Sequence, residues 1–165
     1  MKKFLKKGLF VLFVCFSLVV SGCKEKTKVY SGHGMSITMS EGFYEKNILT
    51  ATYYLESTSS IMFASKETFN SSLLPSVMSL DEYTNLVILN NSLLLAPNER
   101  ENEDYNYFVY EKTVSDKRYF YLATTHKSKD AFWLIQFCCD QKDKDEFQEK
   151  FLESTCTEKG TTSLI

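Results

Sequence analysis

The spacing of apolar positions changes character several times along this 165-residue chain. Met35, Ile37 and Met39 alternate with Ser36 and Thr38, the two-residue period of a half-buried strand. Ala51–Ser57 and Ser60–Lys66 predict two more strands around a Ser/Thr turn, hence a hairpin. From Ser79 the period lengthens. Leu80, Tyr83, Leu86, Val87 and Asn90 fall along one side of a helix predicted over Ser79–Asn91. Ser79 and Glu82 stand at capping-box spacing: the hydroxyl accepts the amide N–H of residue 82, and the carboxylate reaches back to the amide of residue 79. Tyr105–Val114 and Arg118–Lys127 predict paired strands around Ser115–Lys117. Ala131–Cys139 is apolar almost throughout, which predicts a central strand covered on both faces. A second helix is predicted from about Asp143. Asp143 and Glu146 repeat the cap-plus-acid pattern, and Phe147, Phe151 and Leu152 supply the apolar face. A short edge strand is expected after Cys156.

The order is two or three strands, a helix, three antiparallel strands and a helix. Hairpin connections dominate and no strand–helix–strand rhythm appears. The class is therefore α+β, an antiparallel sheet flanked by helices, in a single domain.

The N-terminus follows a different pattern. Gly8–Val20 is an uncharged apolar run of 13 residues behind Lys2, Lys3, Lys6 and Lys7. A membrane-spanning helix needs about 20 apolar residues, so the run has the length and flank of a secretion signal. Val20, Ser21, Gly22 and Cys23 resemble the bacterial lipobox, an aliphatic residue and two small residues before a cysteine. The resemblance implies diacylglycerol transfer to the Cys23 sulfur and cleavage between Gly22 and Cys23. Residues 1–22 are thus expected to be a lipoprotein signal peptide. Residues 23–33 are expected to be the lipidated cysteine and a short solvated tether, and residues 34–165 the globular domain. Fully extended, Lys24–Gly32 would reach about 30 Å at roughly 3.3 Å per residue. The expected location is the extracytoplasmic face of a bacterial membrane, with the membrane engaged through lipid on Cys23.

Charge changes the picture once the signal is set aside. The full chain carries a formal net charge of -2. The four lysines of the first seven residues leave with the signal, so 15 basic residues face 21 acidic ones. An acidic domain of this kind has no phosphate-neutralising face, which argues against nucleic acid as a partner.

Candidate chemistry is sparse. The two histidines, His33 in the tether region and His126 at a strand end, read as solvated. Neither has the Ser or Cys neighbour and orienting acid that nucleophilic catalysis needs, so no enzyme activity and no catalytic residue is expected. No ligand spacing for a metal and no glycine-rich phosphate loop occurs, and no cofactor is expected. Cys138, Cys139 and Cys156 leave three readings open. A bridge, Cys139–Cys156 or Cys138–Cys156, would close a loop of about 17 residues and stabilise by about 3 kcal/mol. Alternatively the three are buried free thiols, or Cys138 and Cys139 form a redox-active pair. The strand tyrosines, among them Tyr53, Tyr54, Tyr105, Tyr107, Tyr110, Tyr119 and Tyr121, either pack beneath the helices or form an exposed binding face.

Three segments carry a family resemblance: GMSITMSEGFYEK, SLDEYTNLVILNN, and AFWLIQFCC followed by KFLEST. They resemble a group of small bacterial lipoproteins of unknown function, whose domains are similar to the PsbP-like fold, an antiparallel sheet sandwiched between helices. The resemblance covers roughly Met35 to Cys156, and its motifs are structural. Other members of that fold serve as an extrinsic photosystem subunit or bind a small GTPase, and no residue here carries either role over. The resemblance implies a non-enzymatic, protein-binding scaffold. The expected function is a lipid-anchored module docking an envelope protein through its sheet rim or loops. The alternative is capture of a small apolar or sugar ligand.

Overall fold

A computed structural model describes residues 26–70, 73–93, 96, 99–100, 105–155 and 162–164. The elements are β1 (Thr27–Gly32), β2 (Met35–Ser40), β3 (Tyr44–Glu45), β4 (Tyr53–Glu56), β5 (Ser60–Thr68), α1 (Leu80–Asn90), β6 (Glu99–Arg100), β7 (Tyr105–Val114), β8 (Lys117–Lys127) and β9 (Ala131–Asp140). A 3-10 turn (Gln141–Asp143), α2 (Lys144–Thr155) and β10 (Thr162–Leu164) complete the order.

Seven strands form one sheet in the order β3-β4-β5-β9-β8-β7-β6, and every pairing is antiparallel. β9 is the middle strand, paired with β5 from Ser60↔Cys139 to Thr68↔Ala131 and with β8 from Tyr119↔Asp140 to Lys127↔Phe132. That position accounts for its apolar run, broken between Ala131 and Cys139 by Gln136 alone, since both its faces are covered. On one face Leu55, Met62, Leu122, Trp133, Ile135 and Phe137 lie beneath a second sheet, β1-β2-β10, and beneath α2. Phe137 and Phe151 stack there with ring centroids 4.8 Å apart. On the other face Phe108, Ala123, Phe132 and Leu134 meet Tyr83, Val87 and Ile88 of α1. Tyr83 stacks flat on Phe132 at 4.2 Å. The fold is therefore an α+β sandwich. The α1 capping box forms as its sequence dictates, with Ser79 Oγ accepting from Glu82 N at 3.2 Å and Ser79 N donating to Glu82 Oε2 at 2.7 Å.

Three local expectations are corrected. Thr27–Gly32, read as part of a solvated tether, is strand β1, paired with β2 from Thr27↔Ser40 to Gly32↔Met35. Tyr30 supplies the reason. Its side chain is buried against Phe43, its hydroxyl donates to Ser40 O at 3.2 Å, and it accepts Phe43 N–H at 3.2 Å. The lysines around it mark a solvated sheet edge, where charge prevents pairing with other chains. Asp143 does not cap α2, because it lies inside the 3-10 turn that leads into the helix, and the turn's own bond from Lys144 N to Gln141 O takes that place. The β7–β8 connection is shorter than expected. Ser115 and Asp116 alone make it, with φ of 50° and 64°, the left-handed pair that suits a two-residue hairpin turn.

The sheet has two distinct ends. Turn 57–59, the Ser115–Asp116 hairpin and the 3-10 turn lie at one, the turn end. Segments 46–52, 69–79 and 128–130 leave from the other, the loop end. Lys26 emerges at the turn end: its carbonyl accepts from Glu41 N at 2.8 Å, and Tyr44, three residues on, sits opposite Glu56.

Candidate functional site

The histidines lie in unrelated settings. His33 occupies the β1–β2 turn with φ 55°, its Nε2 3.6 Å from Glu45 Oε1 and its ring 5.6 Å from Tyr53. His126 is buried, which corrects the solvated reading. It pairs across to Tyr105 on one side and Trp133 on the other, stacks on Tyr105 at 5.5 Å, and sets Nε2 3.1 Å from Thr124 Oγ1. The strand continues past the threonines, so the ring is enclosed by neighbours on both sides.

Cys138 and Cys139 are buried thiols on opposite faces of β9, as strand alternation requires. Burial raises both. Cys139 is pushed up to about 12 by burial first, then by Cys138 and by the carboxylates Asp143, Asp140 and Glu146. A redox-active pair needs a stabilised thiolate, and this environment does the reverse. Gly22, Cys23 and Cys156 lie outside the described residues, and with them the lipid attachment, the cleavage point and the expected bridge.

The tyrosines mostly pack. Tyr53 and Tyr105 are buried. Tyr110 and Tyr121, opposite each other on β7 and β8, stack at 4.7 Å with planes 4° apart, and Tyr110 OH donates to Gln136 Oε1 at 2.7 Å. Burial lifts both phenols well above their ordinary value.

Two features carry more. At the loop end, Leu49, Leu73 and Val77 are each 87% exposed or more. They stand on two separate segments, one leading into β4 and one following β5. The second is held in place from below, because Lys127 Nζ donates to Ser76 O at 2.8 Å and Met78 O at 2.7 Å. Val77 is thus a large apolar side chain facing water on backbone bonded at the residues on both sides of it. In the sequence this segment shows only as a cluster of apolar residues around Pro75 with neither helical nor strand period.

The other feature is a half-open groove of about 520 Å³ between β2 and α2. Met39, Phe43, Phe147 and Phe151 form its floor, with Thr27 and Thr38 on the rim. It exists because β10 pairs with β2 only over Met35–Ile37, which leaves Thr38–Ser40 without a strand on that side among the described residues. A second hollow, at the turn end, is polar and crossed by the Lys117–Asp140 ion pair at 3.0 Å.

No protein-family model matches the chain, and no curated protein matches it. Among solved structures it is similar to the solution structure of cyanobacterial PsbP from Synechocystis sp. PCC 6803, with a TM-score of 0.50 and 7% identity over 88% of this chain and 96% of that one. At such identity the likeness is one of architecture alone, and the fold of this chain is PsbP-like.

Proposed function

We propose that this protein is a lipid-anchored, extracytoplasmic interaction module that binds an envelope protein without catalysing a reaction. The observation that carries the reading is the apolar display of Leu49, Leu73 and Val77 at the loop end. Apolar side chains exposed together at one end of a domain suit a surface that a partner covers, and the Lys127 bonds to Ser76 O and Met78 O fix the backbone on either side of Val77. The lipobox at Val20–Cys23 supports the anchor. Lys26 emerges at the turn end, so a chain fixed through Cys23 would present the loop end away from the bilayer. Enclosure of His126 and protonation of both β9 thiols support a role that uses surface rather than reactive groups.

The test is site-specific photo-crosslinking in cells, with the reactive group placed in turn at Leu49, Val77 and, as control, Asp116 of the full-length chain. One dominant envelope protein captured from the first two positions and not from the third is the expected result. No adduct, or the same adducts from all three, would overturn the docking surface. Mass spectrometry of the exported chain decides the anchor separately, by the mass added at Cys23. A second reading, capture of a small apolar molecule, is favoured by the Met39–Phe151 groove rather than by the tyrosines.

A further inference from the structure

The groove between β2 and α2 lies where the chain enters the fold. Thr27 is both the first residue of β1 and part of the groove rim. Cys23 is four residues earlier in the sequence, and four residues span at most about 14 Å between Cα atoms, at up to 3.6 Å per residue. We propose that the groove seats an ester-linked acyl chain of the diacylglycerol on Cys23 of the same molecule. This rests on the lipoprotein reading above.

Three observations point to that occupant. The floor is methionine and phenylalanine, with Met39, Phe43 and Phe151 buried and Phe147 packed beside them. Methionine and aromatic rings adapt to a flexible unbranched chain better than branched aliphatics do. The rest of the lining is different in kind: Thr27, Thr38 and Ser154 bring hydroxyls and Lys150 and Glu153 bring charges to the mouth, where the polar ester and glycerol would sit. The groove is open along one side, and its volume falls in the range of about 300–1,000 Å³ usual for small-molecule sites. A polar peptide segment would leave such a floor unmatched, whereas an acyl chain attached four residues from the rim is already delivered to it.

The consequence is a competition. Bilayer and groove bury the same methylenes, so a seated chain trades one apolar environment for another. One groove takes one chain and leaves the remaining lipid in the membrane. Seating therefore removes one chain from the bilayer and eases the departure of the protein from it.

The experiment uses full-length protein exported and processed by cells, purified and freed of detergent, with cis-parinaric acid as probe. Half of the sample is treated with lipase to remove ester-linked chains. The intact protein is expected to take up no probe, and the trimmed protein about one molecule per chain. Thr38→Trp, and independently Thr27→Trp at the exposed rim, should weaken uptake by the trimmed protein about tenfold or more, with circular dichroism unchanged. Equal uptake by intact and trimmed protein would overturn the proposal in favour of a groove for some other apolar ligand. No uptake by either would overturn it outright. Absence of lipid on Cys23 by mass spectrometry would overturn the anchor reading and this inference together, and is distinguishable from both.

Discussion

The hydroxyl oxygens of Thr84 on α1 and Thr125 on β8 meet 2.6 Å apart in the buried seam between helix and sheet. Thr84 donates its own proton to Leu80 O at 2.7 Å, so it accepts from Thr125 and from Asn106 Nδ2, the latter at 3.1 Å. Asn106 Nδ2 also donates to Asp81 Oδ1 at 2.8 Å. One oxygen thus serves two buried donors. Thr84→Val should cost about 2–3 kcal/mol, because both donors lose an acceptor, and Thr125→Val only about 1 kcal/mol. The double variant should cost less than the sum, since an apolar pair leaves nothing between the two side chains unsatisfied. Urea unfolding of the three variants checks this, and strict additivity would count against a shared acceptor.

The capping box gives a second prediction. Ser79→Ala should destabilise by about 1 kcal/mol through loss of the N-terminal cap of α1. The Ser79 amide and hydroxyl hold the Glu82 carboxyl below its ordinary value of 4.5. A depressed carboxylate contributes stability that is present above its unfolded value and lost as pH falls through the folded one. The Glu82→Gln protein should therefore show a shallower loss of thermal stability below about pH 4.5 than the parent does.

Alkaline conditions act in the opposite sense. Burial raises the phenols of Tyr83, Tyr110 and Tyr121 and the thiol of Cys139 above their ordinary values of 10.0 and 9.0. Their contribution is complete below those unfolded values and is lost as pH rises toward the folded ones. The melting temperature should fall from about pH 9 upward. Ultraviolet titration should show a group of tyrosines that ionise only as circular dichroism reports unfolding. A smooth titration of all tyrosines near pH 10 in folded protein would contradict the enclosed environments.

Leu49→Lys and Val77→Lys should leave stability within about 0.5 kcal/mol of the parent, as exposed substitutions do. Both should abolish the photo-crosslinked adduct formed from the neighbouring loop. Retention of the adduct in both variants would mean that the partner touches some other surface.

How far the fold was legible follows from which interactions are local. The α1 cap is a contact between residues three apart, and it could be written down from the sequence. β9 was legible because a strand covered on both faces has few polar positions to disguise it, Gln136 being the one between Ala131 and Cys139. β1 was not, because Tyr30 is an inward residue only when Phe43 and Ser40 stand across from it, and the lysines beside it look the same on a sheet edge as on a tether. The two-residue strands β3 and β6 have no pattern of their own, and their neighbours define them. The groove was illegible for the same reason. Met39 and Phe147 come from opposite ends of the chain and share a wall only because β10 stops short along β2.

β1 has a bearing on distance. Because it begins at Thr27, three residues stand between Cys23 and the first strand, a reach of at most about 14 Å against the roughly 30 Å of the expected tether. β5, nine residues long at about 3.4 Å each, then separates the turn end from the Leu73–Val77 segment by roughly 30 Å. For a chain tethered at Cys23 as proposed, the domain would be a post of set height rather than a float on a line. A partner would be met only if its own surface stands at that altitude, and a flexible insert between Cys23 and Lys26 should blur the selection without touching a single contact.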